Sequence, residues 1–258
     1  MAAPATQVDS ASVRPAVPTL TIESAAYVTL ALVAAGLRLA ALGAVPLTPA
    51  EATEALSAHM LARGLAAVAS PLPGSQLLNS LQAALFWLVG ASDAAARLWP
   101  ALVGTAIALA PGLFRRQLGR TTALAASLLL VISPTMLAAS RSAHGAMLAL
   151  GCAVALLHAL ARYVDQPSKQ RAAIAGIFLG LGLTSGPQFV SALFVALAAY
   201  AVNLWLVDDV HLRPRVLRQL GAHLAAAVLA AAAAFVGAAS LAGLNAKGLS
   251  AAGATVPA

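Results

Sequence analysis

SPLPGSQLLNSLQAALFWLVG, residues 70–90, decides how this chain is threaded. Its apolar part, LLNSLQAALFWLVG, is about 14 residues, and at 1.5 Å per residue that falls short of an oil layer about 30 Å thick. It also carries Asn79 and Gln82 and follows a Pro/Gly-rich lead. We read it as an interfacial or re-entrant helix that enters and leaves on one side. The direction of every later segment depends on that reading.

The surroundings make a membrane the relevant solvent. Of 258 residues, 61% are hydrophobic and 9% charged, with a mean hydropathy of +0.88. A water-soluble fold would lack the polar residues to coat itself. Apolar runs occur at about 23–43, 98–114, 121–139, 145–163, 172–184, 188–206 and 220–241, beside the 77–90 segment. Helices satisfy their own backbone groups in lipid, and the alternation of a barrel is absent. The predicted class is all-α: a polytopic membrane helical bundle of about seven transmembrane helices with interfacial helices on its outer face.

Charge supports the threading. RRQLGR (115–120), RYVDQPSKQR (162–171) and DDVHLRPRVLR (208–218) carry three basic residues each. If 77–90 does not cross, a cytoplasmic N-terminus puts all of them inside, as the positive-inside rule prefers. If it crosses, all move outside. The formal charge of +7 is therefore loop bias from insertion, and no nucleic-acid partner is expected. The expected layout is a disordered cytoplasmic tail at 1–22, a helical membrane domain at 23–241 with an outer loop at 44–97, and a flexible tail at 242–258. A cleavable leader is disfavoured, because the first apolar run is long and follows about twenty residues of tail. Cys152 is the lone cysteine. No Cys/His cluster suggests a metal or cofactor, and a divalent cation lacks a ligand set.

This threading collects acid–base residues on the outer side. ALGAVPLTPAEATEALSAHMLARG (41–64) holds Glu51, Glu54, His59 and Arg63, and later outer segments add Asp93, Arg97, Arg141, His144 and Gln188. Residues 51–64 predict an amphipathic helix, with Pro49 before it, acids in the first turn, and Leu56, Met60 and Leu61 on one side. Trp99 reads as an interface anchor. His59 has no metal-ligand spacing around it. Arg97 and Arg141 sit at the ends of apolar runs, where a guanidinium needs water or an anion, and bidentate phosphate binding is one use. A carboxylate facing phosphate-binding arginines at the lipid boundary suits transfer of a sugar from a lipid phosphate, with Glu51 as general base. Asp208 and Asp209 read as a solvated loop.

The stretches PLTPAEA (46–52), SPLPGSQLLNSLQAALFWLVGASDAAARLWPALVG (70–104), RRQLGRTTALAASLLLVISPTMLAASRSAHGAML (115–148) and GLGLTSGPQFVSALF (180–194) come in this order over roughly residues 30–200. Together they resemble the N-terminal half of the polyprenyl-phosphate-dependent glycosyltransferases of the C-type membrane fold, the group of protein O-mannosyltransferases and lipid A aminoarabinose transferases. The resemblance implies a sugar donor on polyprenyl phosphate and an acidic pair after the first span whose first member is the base. The aligned pair here is Ala50 and Glu51, and the position of a later family Asp is Ala146. The family has more spans than this chain, so the sequence reads as a piece of a longer protein or as a short relative.

Two readings follow. In one, a cell-membrane glycosyltransferase works at the outer face with Glu51 and Glu54 as catalytic carboxylates and Arg97, Arg141 and His144 on the substrate phosphate. In the other, the chain is a non-catalytic scaffold or accessory subunit, packing against other membrane subunits through small-residue faces such as GIFLGLGLTSG (176–186). A transporter fits poorly, since the span centres are nearly empty of ionisable groups.

Overall fold

A computed structural model describes residues 22–65, 74–206 and 213–240. The expected tails, the 208–209 acidic pair and most of the third basic loop fall outside these residues, or outside those whose side chains are described. The described residues are helical, with no strand among them. The helices are α1 (Ile22–Leu39), α2 (Pro49–Ala62), α3 (Gln76–Val89), α4 (Asp93–Leu109), α5 (Arg115–Leu118), α6 (Arg120–Ile132), α7 (Pro134–Ser140), α8 (Ala146–Asp165), α9 (Lys169–Thr184), α10 (Pro187–Leu206) and α11 (Arg213–Ser240); a 3₁₀ stretch, Ala110–Phe114, joins α4 to α5.

Contacts between distant segments define two ends of the bundle. At one, Arg97 at the start of α4 bonds the chain just after α1 and pairs with Glu51 of α2, and Ala143, between α7 and α8, donates to Glu51. At the other, Glu23 at the start of α1 lies by Arg115 and Arg120, Tyr27 packs on Gly112, and Tyr163 near the end of α8 bonds His223 of α11. The described basic loops gather at this second end.

α3 stays at the first end. Its N-cap Ser75 packs on Gly145, and Ser92, just beyond its C-terminus, caps α4 within one turn of Arg97. The polar residues that argued against a crossing act as staples. Asn79 accepts from Ser57 of α2, Ser80 donates to the Ala238 carbonyl of α11, and Gln82 donates to the Ala96 carbonyl of α4. The last of these has a specific cause. Pro100 lies inside α4 and has no N–H for the carbonyl four residues back, which is Ala96. The Gln82 amide takes its place at 2.7 Å.

Among the described residues, four helices are long and apolar enough to cross a membrane, or five if α6 and α7, bent by 62° at Ser133–Pro134, are one span. The expected count of about seven is not reached on that criterion among the described residues: α9 has 16 residues, and α10 enters the test only over Pro187–Val202. The helix at 51–64 forms as α2, but its buried face is Glu51, Ala55, Ala58 and Leu61, and Leu56 is exposed. Trp99, expected as an interface anchor, is partly buried: its indole N–H donates to the Leu81 carbonyl and its side chain packs against the core cluster that holds Leu77 and Leu78 of α3.

The GIFLG face is occupied within the chain. α9 and α11 run parallel, with Gly176 against Ala227 and Gly180 against Ala231. A Cβ at either glycine would run into the facing carbonyl, the close approach that small residues permit in lipid. Gly180→Val should therefore lower thermal stability in detergent by about 1–3 kcal/mol or more through overpacking, whereas the same change at Gly36, which faces open space, should have a much smaller effect; equal losses would contradict this packing.

Candidate functional site

The sequence Thr48-Pro49-Ala50-Glu51 starts α2 with a capping box. The Thr48 hydroxyl oxygen accepts from the Glu51 amide, while one Glu51 carboxylate oxygen accepts from the Thr48 amide at 2.9 Å and its hydroxyl at 3.0 Å. The cap turns the carboxylate inward. There it takes the Arg97 Nε at 3.2 Å and Nη2 at 2.9 Å, and the Ala143 amide at 2.7 Å. Both side chains are buried. Arg97 also donates to the carbonyls of Leu42, Val45 and Pro46. A guanidinium has five N–H groups, and in this arrangement all are occupied, leaving none for a phosphate.

Burial pushes the Glu51 carboxyl up, but the Arg97 guanidinium, the amides of Thr48 and Ala143 and the Thr48 hydroxyl outweigh it and bring it down to about 2. A carboxylate held so far below neutral pH is a weak proton acceptor.

One turn along α2, Glu54 meets a different environment. Its carboxylate lies 3.6 Å from His144 Nδ1, and both side chains are part-exposed. Burial raises the Glu54 carboxyl above the ordinary value; His144 opposes the rise, and the Glu51 charge adds to it. Gly74 lines the same spot, with Glu54 Oε1 in van der Waals reach of where its Cβ would stand. Gly145, next to His144, is wedged between Ser75 and the Ser185 carbonyl, so the His144 backbone is tied to α3 and to the α9–α10 corner. The result is an acid–base pair at an open mouth, set on a buried, saturated ion pair.

Arg141 ends the site on the α1 side. Its Nη1 donates to the carbonyls of Leu37 at 2.9 Å and Ala40 at 2.8 Å, and its Nη2 to Ala41 at 3.3 Å. These are the orphan carbonyls of a helix end, and Ala41 holds the left-handed conformation, φ 52°, that glycine usually takes there. Two of the five N–H groups of Arg141 have no partner among the described residues. Ala50 and Ala146 offer no ionisable group. Of the other outer residues, His59 packs edge-on against Phe86, and Arg63 and Gln188 are exposed. Among the described residues no three His, Cys, Asp or Glu side chains come together as a metal site.

The family model described as "Dolichyl-phosphate-mannose-protein mannosyltransferase" matches residues 73–238. The chain belongs to this family. The match spans α3 to α11, and so includes Arg97, Arg141 and His144 but begins after Glu51 and Glu54. No curated protein and no solved structure matches the chain. Membership in the mannosyltransferase family agrees with the resemblance read from the sequence, and with a multi-pass membrane helical bundle.

Sequence reasoning missed several parts of this site. Thr48 was legible, since a Thr three residues before a Glu after an apolar run is a capping-box signature. Arg38, fully buried in α1, was passed over inside a run read simply as a span, although a charge at that depth is a signal in itself. The Ala143 amide could not have been found, because no side chain marks it.

For Glu51→Gln, we expect a loss of about 3–5 kcal/mol in unfolding measured in detergent, because the buried Arg97 loses its charge partner. The pH dependence follows from the lowered value. The unfolded carboxyl binds its proton first as pH falls, so the contribution of Glu51 is complete above the ordinary carboxylate range and drains away toward about 2. Acid titration of thermal stability should show this decline in the native chain and a flatter curve in Glu51→Gln.

Proposed function

We propose that this protein binds a polyprenyl-phosphate-linked sugar at the end of the bundle that carries Glu51, and transfers the sugar to an acceptor hydroxyl there, with Glu54 as the general base and His144 as its partner. The end opposite carries the described basic loops, which supports assigning it to the cytoplasm and the site to the outer face. The observation that carries the proposal is the Glu54–His144 pair: among the described residues, the acidic group at the mouth with a raised proton affinity and a part-exposed basic neighbour. Glu51, with Arg97, serves as the foundation on which that pair stands.

In the proposed step the acceptor O–H gives its proton to Glu54 as its oxygen bonds the anomeric carbon. The bond from that carbon to the phosphate oxygen breaks, and the electron pair leaves with the lipid phosphate. The free N–H groups of Arg141 are the donors available to steady that charge. The tail needs an apolar berth. A lipid-open groove of about 610 Å³ runs between α3, α9 and α11, lined by Leu77, Leu81, Ile177, Leu181, Ala230 and Ala234 among others. Its Leu77 end is two residues from Ser75, which touches Gly145 beside His144.

Transfer of labelled sugar from a polyprenyl-phosphate donor in purified membranes tests this. Glu54→Gln should lower transfer by roughly 100-fold or more, the usual scale for a lost general base, with protein stability retained. Because the native carboxyl keeps its proton to higher pH than an ordinary carboxylate, transfer should rise with pH through that higher range. Unchanged transfer in Glu54→Gln would remove the proposal. Ala234→Trp, which fills the groove, should raise KM for a long-chain donor and leave a short-chain donor unaffected; equal effects on the two would contradict the berth.

A further inference from the structure

Among the described residues Arg38 is the largest fully buried side chain, and its guanidinium makes no ion pair with a described carboxylate. Its Nη2 donates to the Leu130 carbonyl of α6 at 2.9 Å, its Nη1 reaches back to Ala34 at 3.4 Å, and its Nε has no partner. An unpaired guanidinium enclosed at this depth is costly. Its target explains the placement. Pro134 begins α7 and has no N–H, so the carbonyl four residues back, that of Leu130, loses its helical donor. Ser133, before the proline, is extended at ψ 119°, and the chain bends by 62° there.

At Pro100 the same vacancy is filled by a neutral amide, Gln82, and α4 continues through it. At Pro134 it is filled by a charge, and the helix turns away. Hydrogen bonds from a guanidinium are roughly twice as strong as neutral ones. The direction of the turn matters because α7 leads straight into Arg141, Ala143 and His144, and it is held on its other side where Ser140 fills the space over Gly104.

We propose that Arg38 is a positioning residue: by holding the Leu130 carbonyl that Pro134 frees, it fixes the α6–α7 bend that sets Ala143 and His144 against Glu51 and Glu54. Its importance for transfer rests on the acid–base reading of Glu54 and His144; its structural effect does not.

Cross-linking separates the two. In a Cys152→Ala background, Glu54→Cys with His144→Cys gives a thiol pair whose oxidation reports the approach of α2 to the 141–145 segment. Pro134→Ala restores the N–H to Leu130 and straightens the helix, so disulfide formation should slow by roughly tenfold or more as the effective concentration of the thiols falls. Arg38→Met should slow it comparably and lower the melting temperature. Adding Pro134→Ala to Arg38→Met should recover the melting temperature, since Leu130 regains a donor, but not the cross-link. Arg38→Gln, short but still a donor, should fall between. Native cross-linking rates in Pro134→Ala, or in Arg38→Met despite a lower melting temperature, would overturn the proposal. If the cross-link responds as described while Glu54→Gln transfers normally, the transfer reading fails and the positioning role stands.

Discussion

The ion pair between Glu51 and Arg97 ties four separate parts of the chain into one end of the bundle. Arg97 brings the start of α4 to the carbonyls of the segment after α1, and Glu51 brings the start of α2 and the Ala143 amide to the same point. A buried pair of this kind contributes little net stability compared with apolar packing, but either partner left alone would be very costly. It therefore enforces one arrangement rather than strengthening many. Glu54 and His144 face each other because the helix and the loop that bear them are fixed a few residues away.

A second constraint recurs through the fold. Where helices end or are broken by proline inside an apolar medium, backbone carbonyls lose their donors and water is not at hand to replace them. This chain answers with side chains from neighbouring helices. Gln82 serves Ala96, Arg38 serves Leu130, and Arg141 serves Leu37, Ala40 and Ala41. These bonds join α1 to α6, α3 to α4, and the α7–α8 turn to α1. Polar residues that look misplaced in an apolar sequence are the groups that hold its irregular points.

The sequence pointed to which residues come together better than to how they are wired. The shortness of 77–90 with its Asn79 and Gln82 suggested a helix that turns back, the basic loops suggested grouping Glu51, Glu54, Arg97, Arg141 and His144, and the structure brings Glu51 to Arg97 and Glu54 to His144. What sequence could not resolve was partnership. Nothing in the spacing of Glu51 and Arg97, 46 residues apart, distinguishes two groups waiting for substrate from two groups bonded to each other. The glycines of 176–180 were legible as a close-packing face, but whether the facing helix belongs to this chain or to another is a tertiary fact, and α11 supplies it. The family match covers most of the helical domain yet begins beyond α2, so the carboxylates rest on geometry alone.

Sidedness is the claim beneath all of this. If α3 traversed the bilayer, Arg97 would lie across the membrane from Glu51 and the pair could not form. Exposed Arg63 and Ala91 flank α3, and exposed Arg116 lies among the basic residues at the far end. With Cys152 replaced by alanine, Arg63→Cys, Ala91→Cys and Arg116→Cys can each be labelled in oriented vesicles with a thiol reagent that does not cross lipid. Labelling of positions 63 and 91 from one face and of 116 from the other is the predicted result; labelling of 63 and 91 from opposite faces would contradict the account.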